Sequence, residues 1–219
     1  VFVATRSNNR ELRVRNVLLR NATISVDIPV PADPFDAVLK TPRQLLFFDA
    51  QSTAFRRVKV RGQIVHAEPN QVFLMDNGSG IRLLPVNADP LRAGDLVEAV
   101  GYPDIGGSAL LLREAKVRRI GHVELPNAET LTEAELTRED LDSARVRVEG
   151  KLLGLHSEEG LPVLEMQSGA HLYLARLPRS ESQEVSLRPG SRLALQGVYV
   201  GHGHNRHPGA EAESFELLL

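Results

Sequence analysis

The chain has 219 residues, with 26 Lys and Arg against 28 Asp and Glu, a net charge of −2 and 42% hydrophobic residues. That is ordinary for a globular protein with room for two domains of about 100 residues each, and it offers no global attraction to nucleic acid or an anionic membrane. The absence of cysteine excludes a disulfide framework, a zinc ribbon and a thiol nucleophile, and no apolar run reaches the roughly 18 residues needed to span a bilayer.

In chain order, the first segment opens on Val1-Phe2-Val3 without an initiator Met. Within it, Glu11-Leu12-Arg13-Val14-Arg15-Asn16-Val17-Leu18-Leu19 resembles Leu112-Arg113-Glu114-Ala115-Lys116-Val117. Residues 1–28 are therefore expected to be the end of a truncated preceding β unit. Pro29-Val30-Pro31-Ala32-Asp33-Pro34 cannot be regular helix or central strand, so residues 29–40 read as a linker. The chain ends on Glu216-Leu217-Leu218-Leu219, a strand-like end, and the whole reads as an excerpt of something longer.

Residues 41–121 and 122–219 repeat one design. Thr41-Pro42-Arg43-Gln44 and Thr132-Glu133-Ala134-Glu135 are capping boxes, each opening a short helix. Arg56 to Val65 and Ala144 to Leu153 alternate polar and apolar residues around Gly62 and Gly150, the pattern of a half-buried strand that bends at glycine. Gln71 to Asp76 and Gly80 to Pro85 flank Asn77-Gly78-Ser79; Leu161 to Gln167 and Ala170 to Leu177 flank Ser168-Gly169; each set reads as a tight hairpin. Leu91-Arg92-Ala93-Gly94-Asp95 and Leu187-Arg188-Pro189-Gly190-Ser191 are glycine turns into a fourth strand, and Ala109 to Ile120 and Ser214 to Leu219 supply a fifth. Five short antiparallel strands per unit is the count of an OB barrel, so the expected fold is all-β, a tandem of five-stranded OB-like barrels, each led by a short capped helix. The link from Asn87 to Arg92 is too short for the customary helix between strands three and four, which leaves the leading helix to plug the barrel base.

This order of capped helix, Val60-Arg61-Gly62 strand, Asp76-Asn77-Gly78-Ser79-Gly80 hairpin, Leu91-Arg92-Ala93-Gly94-Asp95 turn, Leu131-Thr132-Glu133-Ala134-Glu135-Leu136 helix and Val148-Glu149-Gly150 strand resembles the repeated OB-like region in the extracytoplasmic part of large bacterial membrane-bound sensor proteins, mainly sensor histidine kinases. Pro31-Ala32-Asp33-Pro34-Phe35 and Ser214 to Leu219 resemble its junction segments. The resemblance implies a periplasmic, non-catalytic sensory region of a membrane-anchored protein whose kinase domains lie elsewhere. It carries no catalytic motif.

His202-Gly203-His204-Asn205-Arg206-His207 is dense enough to consider His202, His204 and His207 as metal ligands. The surrounding glycine, asparagine and proline make it a flexible loop, no carboxylate or cysteine interleaves, and no metal or other cofactor is called. Asp95 is replaced by Ser191 at the same place in the second copy, which suits a turn residue better than a catalytic one. No nucleophile elbow is present.

For a small ligand the expected places are the barrel mouth near Phe73, Met75, Arg82, Met166 and Tyr173, and the groove between barrels near Tyr102 and Tyr199. The rival reading is single-stranded nucleic acid on the face of strands two and three, which requires Arg57, Lys59, Arg61 and Arg82 to converge beside an exposed Phe73. A structural spacer is the third reading. The partner is a small ligand or a protein, with pairing of two copies left open.

Overall fold

The computed structural model describes residues 2–6, 12–17, 23, 25–26, 29, 31–46, 56–87, 90–104, 110–138, 140–178, 187–203 and 212–219. It divides into two compact units, Val1–Ala32 and Asp33–Leu219. In the first, β1 (Phe2–Arg6) pairs antiparallel with β2 (Leu12–Val17).

The second unit holds both barrels. After a 3-10 turn at Pro34–Asp36, helix α1 (Pro42–Leu46) leads into β3 (Val58–Glu68), β4 (Gln71–Asp76), β5 (Ser79–Asn87), β6 (Asp95–Asp104) and β7 (Leu111–His122). These close in the order β3-β4-β5-β7-β6, with β5 and β7 parallel. The second barrel follows: β8 (Glu129–Leu131), a 3-10 turn at Glu133–Glu135, β9 (Arg145–Glu158), β10 (Leu161–Ser168), β11 (His171–Arg176), β12 (Arg192–His202) and β13 (Ser214–Leu218). Its pairings run β9-β10-β11-β13-β12 and return to β9, again with one parallel pair, β11 with β13. The chain is thus mostly β, two five-stranded OB-like barrels in tandem.

The bending glycines act as expected. Gly62 lies where a Cβ would stand 2.5 Å from the Met75 carbonyl oxygen, and a Cβ on Gly150 would stand 2.8 Å from the Gln167 oxygen and 2.9 Å from the Tyr173 hydroxyl. Only glycine lets strand one fold over strand two so closely. The first half of each long strand then pairs with strand four and the second half with strand two.

Both capping boxes form. Thr41 N–H donates to Gln44 Oε1 at 2.9 Å and Gln44 N–H to Thr41 Oγ1 at 3.2 Å; Thr132 N–H donates to Glu135 Oε2 at 2.9 Å. The second box opens a 3-10 turn only. Leu45 from α1 enters the first barrel core with Val60, Leu74, Ile81, Val97 and Leu112. Leu136 and Leu141 enter the second with Leu152, Met166, Tyr173, Tyr199 and Phe215. The leading segments therefore do plug the barrels.

One element escaped the sequence reading. Just before each capping box the chain runs parallel to strand one, Leu39 bridging Lys59 and β8 pairing Thr130 with Arg147. In both barrels the partner stands three residues before the bending glycine, so these segments are counterparts.

Candidate functional site

The two barrels share a buried cluster, and it decides which surfaces are open. Val65 and Phe73, on the outer face of β3 and β4, pack with Val198, Val200 and Leu218 on the outer face of β12 and β13. Phe73 is 0% exposed. Nearby, Gly80 of β5 lies against the backbone of Asp142 and Ser143, so close that a Cβ there would collide with the Ser143 carbonyl. The second barrel thus sits on the face of strands one to three, the face on which an OB barrel holds an extended strand. The sequence explains the asymmetry. By register with the bending glycine, Tyr102 and Asp104 of β6 hold the places of Val198 and Val200, so the first barrel presents a polar patch where the second presents an apolar one.

What remains open between the barrels is a cleft of about 670 Å³, within the roughly 300–1,000 Å³ usual for ligand sites. Its floor is the bend of β3 at Arg61, Gly62 and Gln63; one wall is Leu39, Lys40 and Thr41; the other is the β4–β5 hairpin from Met75 to Gly78. The connector, through Pro126, Asn127 and Glu129, and the start of the second barrel, Ala144 and Arg145, complete it. A molecule in this cleft touches both barrels and the segment that joins them.

In the second barrel one side chain bridges the corresponding place. Glu133, the residue after the capping threonine, accepts the Ala170 N–H on Oε1 at 2.9 Å, tying the leading turn to the β10–β11 hairpin. At the same place in the first barrel stands Pro42, which has no carboxylate to offer.

The cleft's polar groups are held in place. Gln63 donates through Nε2 to the Val123 oxygen at 2.9 Å and the Glu124 oxygen at 3.1 Å, fixing the connector to the strand bend. Arg145 donates to the Pro126 oxygen at 2.5 Å and to Gln196 Oε1 at 3.1 Å. Arg61 pairs with Glu98, whose other oxygen takes two bonds from Arg118 at 2.7 and 2.9 Å. Arg61 first and Arg118 second hold the Glu98 carboxyl below its ordinary range, against the effect of its burial. Asp95 is fully buried. Burial pushes its pKa up, but the His122 bond at 2.9 Å, the Arg92 N–H bond at 3.1 Å and nearby Arg119 outweigh it and leave the group below its ordinary value. Asp95 is thus the turn residue its position suggested.

The expected ligand residues fall elsewhere, with one exception. Met75 lines the cleft. Phe73, Met166, Tyr173 and Tyr199 are core residues, exposed by 3% or less, because their alternation points them into a barrel or into the shared cluster. Arg82 lies with its guanidinium 5.2 Å from the Phe73 ring centre. Tyr102 lies under Arg57, 4.6 Å away, on the polar patch of the first barrel and outside the cleft lining. The basic residues do not converge: Arg57 pairs with Glu114 at 3.4 Å, Lys59 donates to the Phe35 oxygen at 2.8 Å and Arg61 holds Glu98. His202 faces Glu216 at 3.5 Å; His204 and His207 lie outside the described residues. Among the described residues no group of three or more His, Asp and Glu is placed to hold a metal.

Sequence reasoning missed Leu39, Pro126, Asn127, Ala144 and Arg145. The difference between Pro42 and Glu133 in two otherwise matching capping boxes was the signal that could have found the cleft.

No protein-family model matches the chain, and no curated protein matches it. Among solved structures it is similar to an OBody bound to hen egg-white lysozyme, at 16% identity and TM-score 0.31 over 42% of this chain and 91% of that one. It is similar to a murine DNA binding protein bound with ds DNA, at 10% identity and TM-score 0.33 over 72% and 87%. It is also similar to the Ifi202 HINa domain in complex with 20 bp dsDNA, at 11% identity and TM-score 0.34 over 75% and 91%. At these TM-scores the likenesses carry no argument about a family or a partner.

Proposed function

We propose that this chain is a non-catalytic binding module of a larger bacterial membrane signalling protein, lying on the extracytoplasmic side, and that it takes its ligand in the cleft between the barrels. The observation that carries this reading is the position of the second barrel. It occupies the strand face of the first and leaves a cleft that both barrels and the connector line. A ligand that fits one relative placement of the barrels better than another shifts the population toward it, and the shift reaches Leu219, beside the shared cluster. The sensory and membrane-anchored parts of the reading come from the sequence resemblance. Among the described residues no helix is long and apolar enough to cross a membrane.

Nucleic-acid binding is the second reading, and residues 1–122, with 17 Lys and Arg against 12 Asp and Glu, are the observation in its favour. The covered Phe73 and the paired arginines speak against it at the strand face. A thermal-shift screen of the full chain against metabolites, short peptides and an oligothymidylate separates the two, because a ligand of the folded state raises its stability by mass action. A rise with a metabolite or peptide that survives added salt is expected; a rise with the oligonucleotide alone, lost as salt increases, would replace the proposal with the second reading.

A further inference from the structure

Resting on the reading of the cleft as the binding site, we infer that its ligand is an extended peptide segment held through its backbone at Arg61. Lys59 donates its N–H to the Val38 oxygen at 2.9 Å and accepts the Lys40 N–H at 2.8 Å, so its peptide groups point to the edge of β3 that faces the leading segment. Hydrogen-bonding direction alternates along a strand, so Arg61 and Gln63 point to the same edge. Gln63 is the first residue that β4 takes up. Between the leading segment and β4 the pairings leave the edge open at Arg61, on the cleft floor. One N–H and one C=O on the same side of a strand edge match the C=O and N–H of one residue in an extended chain, the logic by which sheet edges capture such chains.

The walls suit the side chains of such a segment. Leu39, Met75, Leu96 and Pro126 are apolar, and Leu39 is 51% exposed. The rim carries Lys40, Arg61 and Arg145 together with Asp76 and Glu129, a mixture that does not present the positive lining a phosphate backbone needs. The second barrel repeats the strand geometry at Glu149, between Arg147, which β8 pairs, and Lys151, where the pairing with β10 begins. There Glu133 ties the turn to the hairpin, a bond that Pro42 cannot make in the first barrel.

The test uses the full chain, labelled with 15N, and a mixture of end-blocked tetrapeptides carrying Leu, Val, Phe or Met at a central position. The best binder is then remade with an ester oxygen in place of its central peptide N–H. The expected result is a set of amide shifts at Leu39, Arg61, Gly62, Gln63 and Asn77, binding weakened about fivefold by the ester, and no binding to Leu39→Trp, whose indole fills the cleft from an exposed position. Peptide and ester binding alike, shifts outside the cleft, or no shifts would each overturn the inference. A cleft perturbed by a non-peptide metabolite but by no peptide overturns this inference and leaves the cleft as the binding site; a cleft that nothing perturbs overturns both.

Discussion

The Ala170 N–H donates to Glu133 Oε1 at 2.9 Å, and Pro42 stands where Glu133 would have to be for the first barrel to make the same bond. One side-chain difference between two copies of a capping box thus separates a leading turn bonded to its hairpin through a side chain from one that cannot make that bond. The Glu133→Ala variant is expected to free the β10–β11 hairpin, so that the Ala170 amide exchanges with deuterium about tenfold faster while global stability falls by no more than about 1 kcal/mol. Unchanged exchange at Ala170 would mean that the carboxylate does not hold the hairpin.

The two buried tyrosines of the second core make opposite predictions. Tyr173 and Tyr199 both stack on Phe215, at ring-centre distances of 4.8 and 4.7 Å. The Tyr199 hydroxyl donates to the Leu136 oxygen at 2.7 Å; the Tyr173 hydroxyl is buried without a partner, and burial pushes its pKa to about 12. Removing a satisfied hydroxyl strands its acceptor, whereas removing an unsatisfied one relieves a desolvation cost. In urea unfolding, Tyr199→Phe is expected to lose about 1–2 kcal/mol and Tyr173→Phe to be neutral or more stable. Equal losses would contradict the hydrogen-bond assignment.

Stability is expected to fall in acid through Asp95 and Glu98. Both carboxyls titrate below their ordinary values in the fold, so each contributes stability above an unfolded pKa of about 4 that is lost as the pH falls through the lower folded value. Unfolding free energy measured from about pH 7 to pH 2 should be steady at first and then drop below about pH 4. Glu98→Gln should flatten part of that drop and cost about 1–3 kcal/mol at neutral pH, since it removes the buried member of a three-charge group. A variant with the parent's acid slope would show that Glu98 is not held ionised.

How much of this was legible in the sequence follows from what each pattern encodes. Alternation around Gly62 and Gly150, the turns at Gly94 and Gly190 and the two capping boxes are local, and they placed the strands and the plugging Leu45 and Leu136. The same alternation marks Phe73, Met166, Tyr173 and Tyr199 as large side chains on strands but does not say which face the neighbouring barrel covers. Alternation leaves Phe73 equally able to be open or buried, and Val198, Val200 and Leu218 cover it. Leu39 and β8 were invisible because so short a parallel segment takes its pairing from a strand many residues further on and has no periodicity of its own.

The shared cluster should make the barrels unfold together. Phe73→Ala is expected to cost about 3–5 kcal/mol and, by loosening the contact with Val198 and Leu218, to split a single calorimetric transition into two. A variant that loses stability but keeps one transition would place the coupling elsewhere, in Gly80 and Ser143 or the connector.

The most direct measurement of the central relationship, the covered strand face beside an open cleft, uses the absence of cysteine from the chain. Single Val65→Cys and Leu39→Cys variants report on the shared cluster and on the cleft wall, where the native residues are 6% and 51% exposed. With a bulky thiol reagent under native conditions, L39C is expected to react as an exposed thiol, and V65C at least about a hundredfold more slowly, its reaction waiting on local opening. Equal rates at the two positions would contradict the second barrel's cover and return the strand face of the first barrel to its place as a binding surface.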